Sequence, residues 1–438
     1  MNYDNWQKIK LGDLIEVKHG FAFKGKFFSD KPQRNILLTP GNFAIGGGFK
    51  YDKLKYYVGE IPYEYILDED DILITMTDLS KTSDTLGYPA IIPKSINGVR
   101  YLHNQRLGKV IIKDETRLDK RYIFYLLCTK EYRNEILASA TGTAVKHTAP
   151  DRIRAFKFNV PPLSEQRAIA HILGTLDDKI ELNSKMNETL EAMAQAIFKS
   201  WFVDFDPVIA KANNRQPLGM DAQTAALFPD SFDESELGKI PKGWKAGTIG
   251  NDFDINMGQS PPGNTYNEEG NGTPFYQGRR DFGFRYPSVR IYCTTPKRVA
   301  KTGDTLVSVR APVGDTNMAL TECCIGRGVS AVRHKSGSRS YTYYAMQSLQ
   351  NYFARFEGEG TVFGSINKTQ FNKLEFLIPA IKIRDKFEQI VGSMDEQIEM
   401  FTKQNFTLAT IRDTLLPKLL SGKLRISNAE KFVEDIIV

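Results

Sequence analysis

Cysteine is scarce in this chain of 438 residues. The four present, Cys128, Cys293, Cys323 and Cys324, form no C-x-x-C pair, and the adjacent two cannot bridge each other without strain. Five scattered histidines offer no zinc-type spacing, so no metal site is expected. No apolar run approaches the roughly 18 residues that a membrane helix needs. The start, Met1-Asn2-Tyr3-Asp4, carries neither the basic nor the apolar region of a signal peptide. Free thiols in a large chain fit a reducing compartment, so a cytoplasmic protein away from membranes is expected. Charge of one sign is also short: 58 Lys+Arg stand against 52 Asp+Glu, a net charge of +6. That balance permits a polyanion partner without demanding one.

Catalytic signatures are missing too. Gly20-Phe21-Ala22-Phe23-Lys24-Gly25-Lys26 fits the first seven positions of a phosphate-binding loop, but Phe27 stands where Ser or Thr must hold magnesium. Phe356-Glu357-Gly358-Glu359-Gly360 has the look of a methyl-donor glycine loop, yet no Asn-Pro-Pro-aromatic motif accompanies it. No Ser/His/Asp set and no nuclease carboxylate–lysine constellation is legible. No catalytic residue and no cofactor of its own are expected for this chain.

What the chain does have is repetition. Gly142-Thr143 and Gly360-Thr361 stand 218 residues apart, and so do Pro161 and Pro379. The same offset continues without a gap, pairing Gly174 with Gly392, Asp177 with Asp395, Ile180-Glu181 with Ile398-Glu399, Lys185 with Lys403, and Thr189-Leu190 with Thr407-Leu408. An ungapped run of this length implies duplication. Earlier parts match more loosely: Leu11-Gly12-Asp13 with Ile249-Gly250-Asn251, His19-Gly20 with Met257-Gly258, Asp71–Ile74 with Asp304–Val307. The expected order is a strand-rich domain (1–160), a long helix (161–208), a polar connector (209–235), a second such domain (236–379), a second long helix (380–425) and a tail (426–438). The globular parts have diverged and the helices have not. Two readers of different targets on one shared frame would evolve in that way.

From Ser164 to Phe202 there is no proline and one glycine, with Ser164 as the expected N-cap after Pro161-Pro162. Ile169, Leu173, Leu176 and Ile180, then Leu190, Ala194, Ile197 and Trp201, step by 4 and 3, the period of a coiled-coil seam. Asn183 and Asn187 interrupt it, which costs stability but fixes register. The second copy runs through Val391, Met394, Ile398, Phe401, Asn405, Leu408, Arg412 and Leu415. Two such seams in one chain predict an antiparallel intramolecular pair, roughly 58 Å long at 1.5 Å per residue. The fold class is thus α+β: two strand-rich domains joined by two long paired helices.

Strands are expected at Asp71–Thr77 and Thr305–Arg310, and short helices at Lys120–Cys128 and Tyr341–Phe353. Basic and aromatic residues interleave in Phe21–Phe28 and Tyr276–Arg285, a pattern that suits nucleic acid. The small residues of the loops 142–147 and 360–365 would let backbone approach a ligand closely. The candidate DNA contacts in the first domain are Phe23, Lys24, Lys26, Thr77, Lys81, Arg106, Thr143, Lys146 and His147. In the second they are Gln277, Arg279, Arg280, Arg285, Arg310, Arg327, Thr361, Ser365 and Lys368. Trp201, Phe202 and Phe205, large aromatics at a helix end, are candidate anchors for a partner protein.

Pro161-Pro162-Leu163-Ser164-Glu165-Gln166-Arg167, followed by Leu176-Asp177-Asp178-Lys179-Ile180, resembles the central region of type I restriction-modification specificity subunits. So do Trp201–Val208, Gly219–Ser231 and the ending Leu415–Leu424. The second helix departs from the first at its start, with Lys382-Ile383-Arg384-Asp385 in place of Ser164–Arg167. The resemblance implies that each domain is a target-recognition domain reading one half of a split, asymmetric double-stranded DNA site. It implies helices that set the unread spacer and dock modification (methyltransferase) subunits. S-adenosylmethionine, ATP and magnesium would sit on those partners and on ATP-dependent restriction subunits. The alternatives are a coiled-coil scaffold that reads no DNA, or a subunit that targets methylation only.

Overall fold

The computed structural model describes residues 6–80, 82–95, 97–142, 145–357 and 364–437. The chain folds as two units. Unit 1 comprises 1–182 with 404–438, and unit 2 comprises 183–403.

The two units repeat one topology. In unit 1 an antiparallel four-stranded sheet has the spatial order Ile15–His19, Leu107–Ile112, Ile72–Thr75, Pro89–Ile91. Its counterpart in unit 2 is Phe253–Met257, Val329–His334, Thr305–Val309, Val313–Met318. Each unit adds a five-stranded sheet with one parallel pair. In unit 1 that pair is Asn35–Leu37 with Arg100–Leu102, and in unit 2 it is Thr273–Tyr276 with Cys323–Ile325. A two-stranded ribbon precedes each long helix: Gln7–Lys10 with Lys157–Val160, and Lys245–Thr248 with Glu375–Ile378.

The expected strands are present, and the structure explains their alternation. Ile72 and Ile74 join the core beneath the helices, while Leu73 joins a second core against the five-stranded sheet. Val307 and Val309 divide from Leu306 in the same way. Both faces of these inner strands are buried, Thr75 and Ser308 included. The expected short helices run Lys120–Leu127 and Arg339–Ser348, each followed by another, Lys130–Ser139 and Gln350–Ala354.

The long helices span Leu163–Phe202 and Ile381–Leu420, 40 residues each. In unit 1, Ile169, Leu173 and Leu176 share a buried core with Leu408 and Leu415, and Ile180 packs against it half-buried. The Asn405 side chain donates to the Ile180 carbonyl at 3.4 Å. In unit 2, Val391 and Ile398 are fully buried beside Ala194, with Leu190, Ile197 and Met394 packed around them. Asn187 donates to Thr402 Oγ1 at 3.4 Å, and Asn183 is buried. Within each unit the pairing is antiparallel. The expected seam is the buried one, and each fully buried aliphatic in it contributes about 1.5–3 kcal/mol.

Seam and domain cores are continuous. Tyr122, Leu126 and Leu173 belong to one cluster, as do Phe198, Tyr341 and Phe387. The first long helix starts at Leu163, so Ser164 lies inside its first turn instead of capping it. The Glu165 and Gln166 amides bond to the Pro162 carbonyl at 2.9 and 3.0 Å. Gln166 is fully buried and clamps the entry, accepting from the Asp119 amide and donating to the Arg117 and Pro161 carbonyls, all at 2.9 Å.

Across and beyond the expected connector, 209–235, lie helices Asp206–Ala212 and Ala222–Ala226 and the hairpin Phe232–Ser235 with Gly238–Pro241. The last segment is a helix, Ile426–Ile437, whose Ala429 and Val433 are buried in unit 1. Among the described residues no helix is long and apolar enough to cross a membrane.

Candidate nucleic-acid interface

One edge of each unit gathers loop residues by the same backbone connections. In unit 1 the strand Ile15–His19 ends at Gly20, whose amide donates to the Leu107 carbonyl at 3.3 Å. A Cβ at Gly20 would lie 2.1 Å from the Asn104 carbonyl oxygen, so only glycine fits. Phe21 and Gln105 then bond across to hold the turn Asn104-Gln105-Arg106 (Gln105 amide to Phe21 carbonyl, 3.0 Å). The Met76 amide donates to the Arg106 carbonyl at 2.9 Å, and the Thr148 amide to the Met76 carbonyl at 3.0 Å. Thr77 pairs with His147 in a short ladder, and Thr77 Oγ1 stands 3.0 Å from His147 Nδ1. Thr141 and His147 exchange backbone bonds at 3.0 and 2.8 Å, closing the loop in which Gly142 has φ +98°.

Unit 2 builds the same frame from other residues. The Gly258 amide donates to the Val329 carbonyl at 2.9 Å, and a Cβ there would lie 2.2 Å from the Gly326 oxygen. The Val309 amide donates to the Gly328 carbonyl at 2.9 Å, and the Ile366 amide to the Val309 carbonyl at 3.1 Å. Val309 thus takes the place of Met76, Arg310 that of Thr77, and Ser365 that of His147. Arg310 and Ser365 form an isolated bridge where Thr77 and His147 form theirs. Gln277 reaches Ser260 Oγ at 2.9 Å and receives the Gly328 amide on its carbonyl at 3.1 Å.

The structure therefore brings Arg106, Thr77, Lys146 and His147 together in unit 1. In unit 2 it brings together Gln277, Arg310, Arg327 and Ser365, with Arg327 exposed and its amide 3.4 Å from Ser260 Oγ. Arg279 and Arg280 are exposed in a single turn, and Arg279 pairs with Asp315. Lys368 is exposed on the first turn of the helix Lys368–Asn372, which Asn367 caps. Lys24 and Lys26 are exposed, the Lys26 ammonium lying over the Phe27 ring. Phe23 is buried among Phe21 and Tyr57, and with Arg106 it lines a shallow hollow. Lys81, Thr143 and Thr361 lie outside the described residues.

Two expectations are corrected. Arg285 cannot touch DNA, because it is 1% exposed and its guanidinium is engaged by Glu191 and Asp395. Trp201 and Phe202 are not free anchors for a partner. Trp201 packs on Phe228 and Phe387, Phe202 on Trp244 and Tyr341, and both are in the core of unit 2. Phe205, half-buried with φ +57°, packs edge-on against Trp244 and Phe232. Aromatics at the end of an amphipathic helix are drawn into the nearest core, since burying them is worth more than presenting them.

Asp78 is a residue that pattern reading missed. It is 4% exposed, and its carboxylate accepts from the amides of Ser80, Thr85 and Leu86 and from the Thr85 hydroxyl. Burial opposes its charge, yet the bonds from Ser80 and Thr85 hold its pKa below the ordinary carboxylate value. It thereby holds Ser80, Thr85 and Leu86 around the position next to Thr77. The available signal was an Asp followed by Ser and Thr at turn spacing.

The family described as "Type I restriction modification DNA specificity domain" matches residues 3–192 and 241–407. A Methanocaldococcus jannaschii protein named for the specificity subunit of type I restriction enzyme MjaX is 28% identical over 435 residues, covering 97% of this chain and 94% of its own. The type I restriction enzyme HindI specificity subunit of Haemophilus influenzae is 29% identical over 358 residues, covering 69% and 77%. A crystal structure of a type I restriction-modification S subunit from M. genitalium, 17% identical, has the same fold with a TM-score of 0.58, covering 96% of this chain and 97% of that one. Two matched segments spanning most of the chain, each carrying the same four-segment edge, leave one assignment: this chain belongs to the type I restriction-modification DNA specificity family.

Proposed function

We propose that each unit of this DNA sequence-specificity subunit reads one half of a split, asymmetric DNA site, through the edge just described. The observation that carries the reading is the duplicated edge with unlike side chains. Thr77 and His147 stand in unit 1 where Arg310 and Ser365 stand in unit 2. A shared backbone frame with different donors and acceptors is what two readers of different base sequences require, because base edges are told apart by hydrogen-bond pattern. The exposed Arg279, Arg280, Arg327 and Lys368 supply phosphate or guanine contacts in the second half, and Lys24, Lys26 and Arg106 in the first.

The unbroken long helices fix the unread spacer between half-sites and provide the frame on which modification subunits dock. Methyl transfer from S-adenosylmethionine to adenine, and any ATP- and magnesium-dependent translocation and cleavage, belong to partner subunits. The chain itself contributes targeting and no chemistry.

Single-molecule methylation sequencing of DNA from cells that express the chain with its modification partner tests this. A new methylated adenine motif split by an unread gap is expected. Assembly of the complex with no new motif would overturn the two-reader assignment and favour a scaffold.

A further inference from the structure

Asp177 and Asp395 are equivalent by the 218-residue repeat, and both accept a hydrogen bond from a buried tyrosine. The Tyr125 hydroxyl donates to Asp177 Oδ2 at 2.7 Å, and the Tyr344 hydroxyl to Asp395 Oδ1 at 3.2 Å. The two units differ in where the countercharge comes from. In unit 1 it comes from the helix pair itself, with Arg412 Nη1 2.7 Å from Asp177 Oδ1. The repeat makes Ala194 the equivalent of Arg412, and Glu191 the equivalent of Ala409. At these positions the helix pair of unit 2 therefore has one acid more and one base fewer.

The recognition domain supplies the missing cation. Arg285 Nη2 donates to Asp395 Oδ1 at 3.0 Å and pairs with Glu191, and the guanidinium lies 3.9 Å from the ring centroid of Tyr343. Withdrawing it would strand two buried carboxylates, each 6–9% exposed, which is strongly unfavourable. Arg285 lies in the 279–290 segment, which opens with the exposed Arg279-Arg280. Its carbonyl accepts from the Met318 amide at 2.8 Å, the Gly283 carbonyl accepts from Asn317 at 2.9 Å, and Arg279 pairs with Asp315 on that same strand. The segment thus runs from the reading edge into the charge cluster on the helices. In unit 1 the helix Lys120–Leu127 meets the long helices through Arg121, which pairs with Asp178, and through Tyr125, which donates to Asp177.

We infer that Arg285 is a positioning residue for the second half-site: it ties the 279–290 segment to the long helices, so that reading by Arg279 and Arg280 depends on the helix pair, whereas in unit 1 Asp177 takes its countercharge from Arg412 on the helices themselves. The inference rests on the two-reader function proposed above.

The test separates charge balance from positioning by giving unit 2 the unit 1 solution. Arg285→Met alone should destabilise the protein. The triple variant Glu191→Ala/Ala194→Arg/Arg285→Met restores one acid facing one helix-borne base, so its urea midpoint should recover. Its methylation motif should still show the first half intact and the second relaxed by about tenfold in discrimination. Amide exchange across 279–290 should stay faster than in the wild type. A triple variant with wild-type second-half discrimination and wild-type protection of 279–290 would show that Arg285 only balances charge. If the triple variant does not fold, Arg285→Lys decides, since it keeps the charge and loses the stacking of the planar guanidinium on the Tyr343 ring. Selective relaxation of the second half and faster 279–290 exchange are expected, and wild-type behaviour overturns the inference. Absence of any split motif from the wild-type complex would count against the two-reader function, while the exchange measurement, which needs no DNA, still decides on the tie.

Discussion

Arg412 meets Asp177 at 2.7 Å between the two long helices, and Tyr125 donates to the other carboxylate oxygen at the same distance. Sequence pattern placed Arg412 at a seam position, where a charge is costly unless matched. The match is Asp177, and both side chains are about 30% exposed. Arg412→Met should therefore lower the urea midpoint of unit 1 modestly, by the equivalent of ~1 kcal/mol, and more when combined with Tyr125→Phe. The double variant should lose less than the sum of the singles, because the two donors share one acceptor group. Strict additivity would show that the three groups do not act together.

Acid should weaken unit 1 in two stages. His103 is 1% exposed, and its Nε2–H donates to the Leu107 carbonyl at 2.9 Å. Burial pushes its pKa down to about 4, the bond to Leu107 opposing. The unfolded chain binds a proton near pH 6.5, and the folded chain does so only near 4. Stability is therefore lost as pH falls through that window, by up to ~3 kcal/mol, and is level below it. Asp78 acts lower. Its folded pKa is depressed, so its contribution is present above the unfolded carboxylate value and disappears as pH falls through the folded one. Urea midpoints between pH 7.5 and 4.5 should fall for the wild type and stay flatter for His103→Gln. Equal slopes would remove His103 from the account.

Much of the frame was legible in sequence because it is periodic. Ile169, Leu173, Leu176, Val391, Ile398 and Leu408 announce a seam by spacing alone, and the ungapped 218-residue repeat announces two units. Residues whose role depends on what meets them in space were not legible. Arg285 reads as one more basic residue in an aromatic stretch, and only folding brings Glu191 and Asp395 to it from positions 94 and 110 residues away. Trp201 and Phe202 look like an interface for the same reason, since nothing local reveals Trp244 or Tyr341 beside them. Gly20 and Gly258 were visible as a loose match, but the carbonyls that forbid a side chain there belong to distant turns.

Those two glycines give a paired test of the edges. Gly20→Ala forces a Cβ against the Asn104 oxygen, and Gly258→Ala against the Gly326 oxygen. Backbone must move in each case, at a cost of ~1–3 kcal/mol. Gly20→Ala should relax only the first half of the methylation motif and Gly258→Ala only the second. Gly25→Ala, whose Cβ meets nothing within 4 Å, is the neutral control. Motifs unchanged in both variants, with folding intact, would place DNA reading elsewhere.

The strongest demand on independent reading falls on Arg279 and Arg280. Both are exposed in the turn Arg279–Asp281, with Arg279 sharing its charge with Asp315. If they contact bases, Arg279→Ala/Arg280→Ala should cost ~1–3 kcal/mol per lost contact and broaden the second half-site. If they contact phosphate, the motif stays the same and the salt dependence of binding becomes shallower by about one counterion per residue. Either result keeps the effect in the second half, since the first is read by side chains of another unit. Arg279→Ala also frees Asp315, whose bare carboxylate repels phosphate, so Arg279→Ala/Asp315→Asn should bind better than Arg279→Ala alone. Equal loss of both half-sites by a folded, assembled Arg279→Ala/Arg280→Ala variant would mean that the units do not read separately.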